Sequence, residues 1–151
     1  MDKIKELKEL VEIEIANLDS LCREMDELLS GGVDKKSSLE VRAAASILHD
    51  FYCGIEKIFE RVALTMDKSI PSGLNWHTDL LLRMGDPVEG IRNNVISGKL
   101  KENLKEYLRF RHLFRHIYGF ELKWERIKPL CLALNGIFDS LKREIEEFLS
   151  R

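Results

Sequence analysis

The densest run of catalytically capable side chains in the sequence is Arg109-Phe110-Arg111-His112-Leu113-Phe114-Arg115-His116-Ile117-Tyr118. An imidazole titrates near neutral pH and can pass protons there, while a guanidinium stays charged and can fork two donors onto phosphate oxygens. Such groups suit cleavage of a phosphodiester without a metal. A histidine of the run could deprotonate a ribose 2′-hydroxyl or protonate the leaving oxygen, with an arginine stabilising the charge that builds at phosphorus. On an ideal helix, residues five apart point about 140° away from each other. Arg111 and His116 therefore share a pocket only through the long Arg stem, a loosened helix end, or a dimer that brings two copies of the pair together.

Other chemistries find less support. His112 and His116 are four apart and could face one metal, but no Glu stands between them and no third ligand is evident, so no metal and no cofactor is expected. Cys22, Cys53 and Cys131 fall on apolar helical positions without paired ligand spacing and read as buried thiols, which suits a reducing cytoplasm. His49 and the Trp76-His77 pair carry lone histidines at helical positions, to which no role is assigned. There is no phosphate-cradling glycine loop or nucleophilic serine motif, and Gly31-Gly32 reads as a turn.

The candidate cluster lies in the most basic part of the chain. Lys99, Lys101, Lys105, Arg109, Arg111, Arg115, Lys123, Arg126 and Lys128 face only Glu102, Glu106, Glu121 and Glu125 there, within a chain of net charge -2. This asymmetry fits a phosphate-binding surface, because each cationic contact displaces counterions from a nucleic acid. It equally fits a solvated helix face laced with Glu–Lys pairs. Arg115 also fits as a complement to a negative helix C-terminus.

The elements that must position these residues all read as helices. Leu7, Val11, Ile15, Leu18, Cys22, Met25 and Leu29 recur in steps of three and four and predict a first helix from Ile4 that Gly31-Gly32 stops. Ser37-Ser38-Leu39-Glu40 has capping-box spacing. It opens a second helix whose apolar face runs from Val41 to Val62, making an antiparallel hairpin with the first. After the Ser69–Gly73 loop, Asn75 is expected to cap a short helix with Trp76, Leu80, Leu81 and Met84. Asp86-Pro87-Val88-Glu89 reads as the start of another short helix to about Val95. A further helix carries Leu100, Leu104, Tyr107, Leu108, Phe114 and Ile117, with Gly119 placed as a left-handed cap. The last runs from about Leu122 to Leu149, where Pro129 either kinks it or marks its true first turn. The expectation is an all-α, four- to five-helix antiparallel bundle formed by residues 1–151 as one domain. Met1–Glu6 has no apolar signal core, and no run approaches the roughly 20 apolar residues that span a bilayer.

At Arg111-(four residues)-His116-Ile117-Tyr118 the sequence resembles the R-x4-H-x-Y motif of HepT toxins, members of the HEPN superfamily, whose wider signature is R-x4-6-H. His112 fills the place after the Arg where HEPN proteins often carry a polar residue. Trp76-His77-Thr78-Asp79-Leu80-Leu81, the approach Tyr107–His112 and the last helix through Trp124 and Pro129 also look HepT-like. The resemblance implies a homodimeric bundle that sets Arg111 and His116 of both subunits in a shared cleft, as a metal-independent endoribonuclease, with tRNA and mRNA both open as substrates. His112, Arg109 and Arg115 are candidates for RNA contact, and Arg115 matches no required family position. It also implies a partner, an MntA-type minimal nucleotidyltransferase antitoxin that transfers AMP from ATP to Tyr118. A bulky negative adenylate there would repel RNA phosphates and block access. The alternative is a non-catalytic substrate-binding or regulatory partner of such a nucleotidyltransferase, and a third reading is a purely structural helical adaptor.

Overall fold

The computed structural model describes residues 2–151 and is built from helices. They are α1 (Lys3–Ser30), α2 (Ser38–Val62), α3 (Trp76–Met84), α4 (Gly98–Phe114) and α5 (Trp124–Leu149). A wider π-type turn over Ala63–Asp67 extends α2, and a single 3-10 turn over Gly119–Glu121 precedes α5. The all-α bundle is therefore observed, with five helices. No helix among the described residues is long and apolar enough to cross a membrane.

The predicted stripes are the buried faces. Leu7, Val11, Leu18, Cys22 and Met25 of α1 are buried, with Ile15 and Leu29 half-buried at the edges of the stripe. The capping box at α2 is present in both directions: Ser37 Oγ accepts from the Glu40 amide at 3.1 Å, and Glu40 Oε1 accepts from the Ser37 amide at 3.0 Å. α1 and α2 run antiparallel, since Leu18 packs on Gly54 while Leu7 and Leu10 reach Arg61 and Leu64. A Cβ at Gly54 would lie 2.7 Å from Leu18 Cδ2, so glycine there lets the two helices approach. Helix α2 is the central element and packs against each of the other four.

Polar side chains tie the later helices to this pair. Trp124 Nε1 donates to the Val33 carbonyl at 2.9 Å, Tyr107 Oη donates to the Leu130 carbonyl at 2.8 Å, and Glu144 accepts from the Ser97 amide at 2.5 Å and its hydroxyl at 3.0 Å. The Cys22 and Cys131 thiols are buried, which pushes both up to about 12, and nearby carboxylates of Asp19, Asp26 and Asp139 add to the effect at Cys22. Such thiols are inert at neutral pH.

Two local expectations are corrected. Asp86–Val95 is not a helix: Val88 and Arg92 exchange backbone hydrogen bonds at 2.9 Å around Gly90, whose φ of +77° no helix accommodates. Arg92 decides this geometry. Its buried guanidinium binds both Asp67 carboxylate oxygens at 2.7 and 2.9 Å and also donates to the carbonyls of Arg83, Asp86 and Asn93. Asp and Pro open turns as readily as helices, and here the buried ion pair selects the turn. The second correction is at α4, which ends at Phe114, before Ile117. Gly119 is not left-handed; it lies where a Cβ would be 2.8 Å from Arg42 Cζ, so its role is a close contact. Pro129 lies inside α5, which already begins at Trp124, so it does not mark the first turn.

Candidate active site

The site is assembled on a charge that should not be buried alone. The buried face of α2 runs Tyr52, Ile55, Glu56, Phe59, and so carries a carboxylate into the bundle, where Glu56 is 6% exposed. Burying an unpaired charge is costly. Two cations or donors answer it: His77 of α3 places Nδ1 2.7 Å from Glu56 Oε2, and Arg111 of α4 brings Nη2 to 4.0 Å from Glu56 Oε1. A carboxylate only accepts, so His77 donates through Nδ1, leaving Nε2 uncommitted. Tyr52, one turn back from Glu56, is held as a neutral phenol by burial and then by the negative charge of Glu56, both of which raise its ionisation well above the usual tyrosine range. Burial, then the same charge, also raises the carboxyl of Glu60, one turn on.

Arg111 occupies the edge of the buried stripe of α4, one turn beyond Tyr107, and its side chain is 13% exposed. Its Nε is buried without a hydrogen-bond partner, the one such side-chain nitrogen or oxygen among the described residues. Buried donors are normally satisfied. Arg111 thus faces the Glu56 charge across 4.0 Å with its Nε unpaired.

Helix α4 ends at Phe114, between Arg111 and His116, so the two residues do not sit on one unbroken helix. The Arg115 and His116 amides turn back onto the Arg111 and Leu113 carbonyls at 3.3 and 3.0 Å. The His116 ring then caps the helix, with Nδ1 2.7 Å from the His112 carbonyl. A carbonyl cannot donate, so Nδ1 carries the proton and Nε2 is the atom free to exchange one. The His116 ring also lies against that of His112, ring centroids 4.5 Å apart and tilted by 35°. His112 in turn lines a cavity of about 480 Å³ between α3 and α4, together with Arg111, His77, Lys105, Arg109 and an apolar wall including Leu74, Leu81 and Leu108. His112 is therefore the link between the Arg-bearing cavity and His116.

The remaining expected site residues are placed differently. Arg109 borders the cavity and pairs with Glu106, and Lys105 pairs with Glu102 at 2.9 Å, so part of the basic stretch is an internally paired helix face. Arg115 is the C-cap of α4, exposed and outside the cavity. Tyr118 is 72% exposed, on extended backbone anchored by its amide to Glu121 at 2.9 Å, and its ring stacks on Phe120 at 5.3 Å. The structure thus brings Arg111 and His112 to one cavity, leaves His116 at its margin, and sets Tyr118 in solvent beyond it. Sequence reasoning missed Glu56 and His77. The available signal was one acid within an otherwise apolar stripe of α2.

A family model described as "HepT-like protein" matches residues 43–151. The chain belongs to the HepT-like family. No curated protein and no solved structure matches it. The matched span of this HepT-like, HEPN-type chain includes nearly all of α2 and everything after it, and with them Glu56, His77, Arg111, His112, His116 and Tyr118; α1 lies outside.

Proposed function

We propose that this HepT-like protein is a metal-independent endoribonuclease toxin whose centre is Arg111 and His116. The observation that carries the reading is the tautomer and placement of His116. Its Nδ1 is committed to the His112 carbonyl, and its ring lies against a histidine that shares a cavity with Arg111. In the reaction the 2′-oxygen of RNA attacks the adjacent phosphorus and the 5′-oxygen of the next nucleotide leaves. Nε2 of His116 accepts the 2′-hydroxyl proton or supplies the proton that the leaving oxygen takes. Arg111, fixed by Glu56, neutralises the charge on the non-bridging oxygens. The products are a 2′,3′-cyclic phosphate and a 5′-hydroxyl, so atoms and protons balance without an external oxidant or metal.

The active form in this reading is a homodimer. Leu74 borders the cavity fully exposed, and Leu113 at the end of α4 is 42% exposed, which supports an apolar contact beside the cleft. A second copy seated there would complete a composite site with two Arg–His pairs. Control is by a cognate nucleotidyltransferase antitoxin that adenylates Tyr118, whose exposed hydroxyl-bearing ring suits modification by another protein. The added phosphate brings negative charge close to the RNA path.

A short oligoribonucleotide and its all-2′-deoxy counterpart test the chemistry. Cleavage of the ribose strand to a cyclic-phosphate terminus, with the deoxy strand intact, is the expected result. Equal cutting of both strands would rule out 2′-hydroxyl attack.

A further inference from the structure

The exposed aromatic pair beyond the cleft flanks a glycine that lies against a cation the proposed reaction does not use. Tyr118 and Phe120 are 72% and 59% exposed and stack with an interplanar angle of 18°. Between them in sequence stands Gly119, whose missing side chain leaves room for the Arg42 guanidinium from α2: a Cβ would meet Cζ, Nη1 and Nε at 2.8, 2.9 and 3.0 Å. Arg42 is itself exposed and forms no ion pair among the described residues, unlike Lys105 and Arg109 nearby in the basic stretch. Two stacked π-faces and a free guanidinium are therefore held together by the 3-10 turn. Glu121 locks that turn by accepting from the Tyr118 amide, while its own amide donates back to the Tyr118 carbonyl at 2.9 Å.

We infer that Arg42, Tyr118 and Phe120 form a nucleotide subsite for single-stranded RNA, with a base stacking on the aromatic pair and Arg42 holding its phosphate. The inference rests on RNA being the substrate of the adjacent centre. Stacking on aromatic side chains tolerates any base, and it needs a base that is not already paired, so the subsite selects unpaired strands over duplex. The geometry also gives the adenylation of Tyr118 a direct consequence: the added nucleotide occupies the surface that the substrate nucleotide would use.

The test uses the full chain carrying His116→Ala, so that binding is read without turnover. The probe is a fluorescein-labelled single-stranded oligoribonucleotide, alone and annealed to its complement. Adding Phe120→Ala should weaken single-strand binding about tenfold, with Phe120→Trp restoring it and duplex binding changing far less. Arg42→Gln should weaken binding and reduce the slope of log K against log salt by about 0.7, one phosphate contact. Gly119→Ala, which displaces Arg42, should reproduce that change in slope. Single-strand affinity and salt slope that ignore all these substitutions would overturn the subsite. So would a loss of affinity that accompanies conversion of the dimer to monomer, because the aromatic pair would then be a subunit contact. These outcomes separate from failure of the nuclease reading. A wild type that binds single strands through Phe120 but cuts nothing keeps the subsite and loses the catalysis, whereas one that cuts while binding independently of Phe120 and Arg42 loses the subsite alone.

Discussion

Replacing His116 with alanine is expected to lower the rate of RNA cleavage about 10²–10⁴-fold, the range for removing a positioned general acid or base. The loss should fall on kcat, because the proposed mechanism assigns proton transfer to His116 and phosphate binding to Arg111 with the surrounding cations. Stability should hardly move. His116 is exposed, and its one side-chain hydrogen bond caps the His112 carbonyl at a helix end that water also reaches. A melting temperature within about 2 °C of wild type is expected. Steady-state cleavage of a labelled oligoribonucleotide by both proteins, with thermal melts on the same preparations, checks the two halves together. Full activity in the variant would remove His116 from the chemistry, and a collapse of the fold would make it a structural cap.

Glu56→Ala has the larger structural effect, since it removes the one carboxylate that faces both His77 and Arg111 from within the bundle. Arg111 already has a buried Nε without a partner, and the substitution would leave its Nη2 without its counter-charge as well. Breaking a fully buried pair costs about 3–5 kcal/mol. The 4.0 Å separation and the partial exposure of both partners reduce the expectation to about 2–3 kcal/mol, or roughly 5–10 °C in melting temperature for a chain of this size. Glu56→Gln keeps the volume and an acceptor for His77 Nδ1, so it should melt closer to wild type. It lacks the charge that orients Arg111, so its cleavage rate should still fall, by about tenfold. Circular-dichroism melts and cleavage rates for the pair of variants separate these effects. Unchanged melting in both would mean that Glu56 does not anchor the site.

What could be read from the residues in order was whatever local periodicity records. The stripes of α1, α2 and α5 and the Ser37 capping box appear where steps of three and four and the start signals place them, and so does the short helix after Asn75, although the Asn75 side chain makes no cap hydrogen bond. The motif residues were legible as a spacing, but their arrangement was not. Ile117 prolongs the apolar pattern of α4 past Phe114, whereas α4 ends at Phe114 and the His116 side chain takes the His112 carbonyl there, a contact that the pattern does not encode. The turn at Val88–Arg92 depends on Asp67, and the anchoring of Arg111 depends on Glu56; both partners are remote in sequence. A buried charge looks locally like an interruption of an apolar face, and its meaning appears only when its partner arrives from another helix. The same holds for Gly119, whose value lies in admitting Arg42 from α2.

In the proposed mechanism this chain cleaves RNA alone, without a metal. The most direct measurement is incubation of total cellular RNA with the purified, unmodified wild-type chain in excess EDTA, followed by electrophoresis of the fragments. Cleavage should persist at full rate in the chelator, as metal-free chemistry requires. RNA left intact by that protein, or cut only after divalent cations are restored, would contradict it, and intact RNA under both conditions would favour a non-catalytic partner of the nucleotidyltransferase.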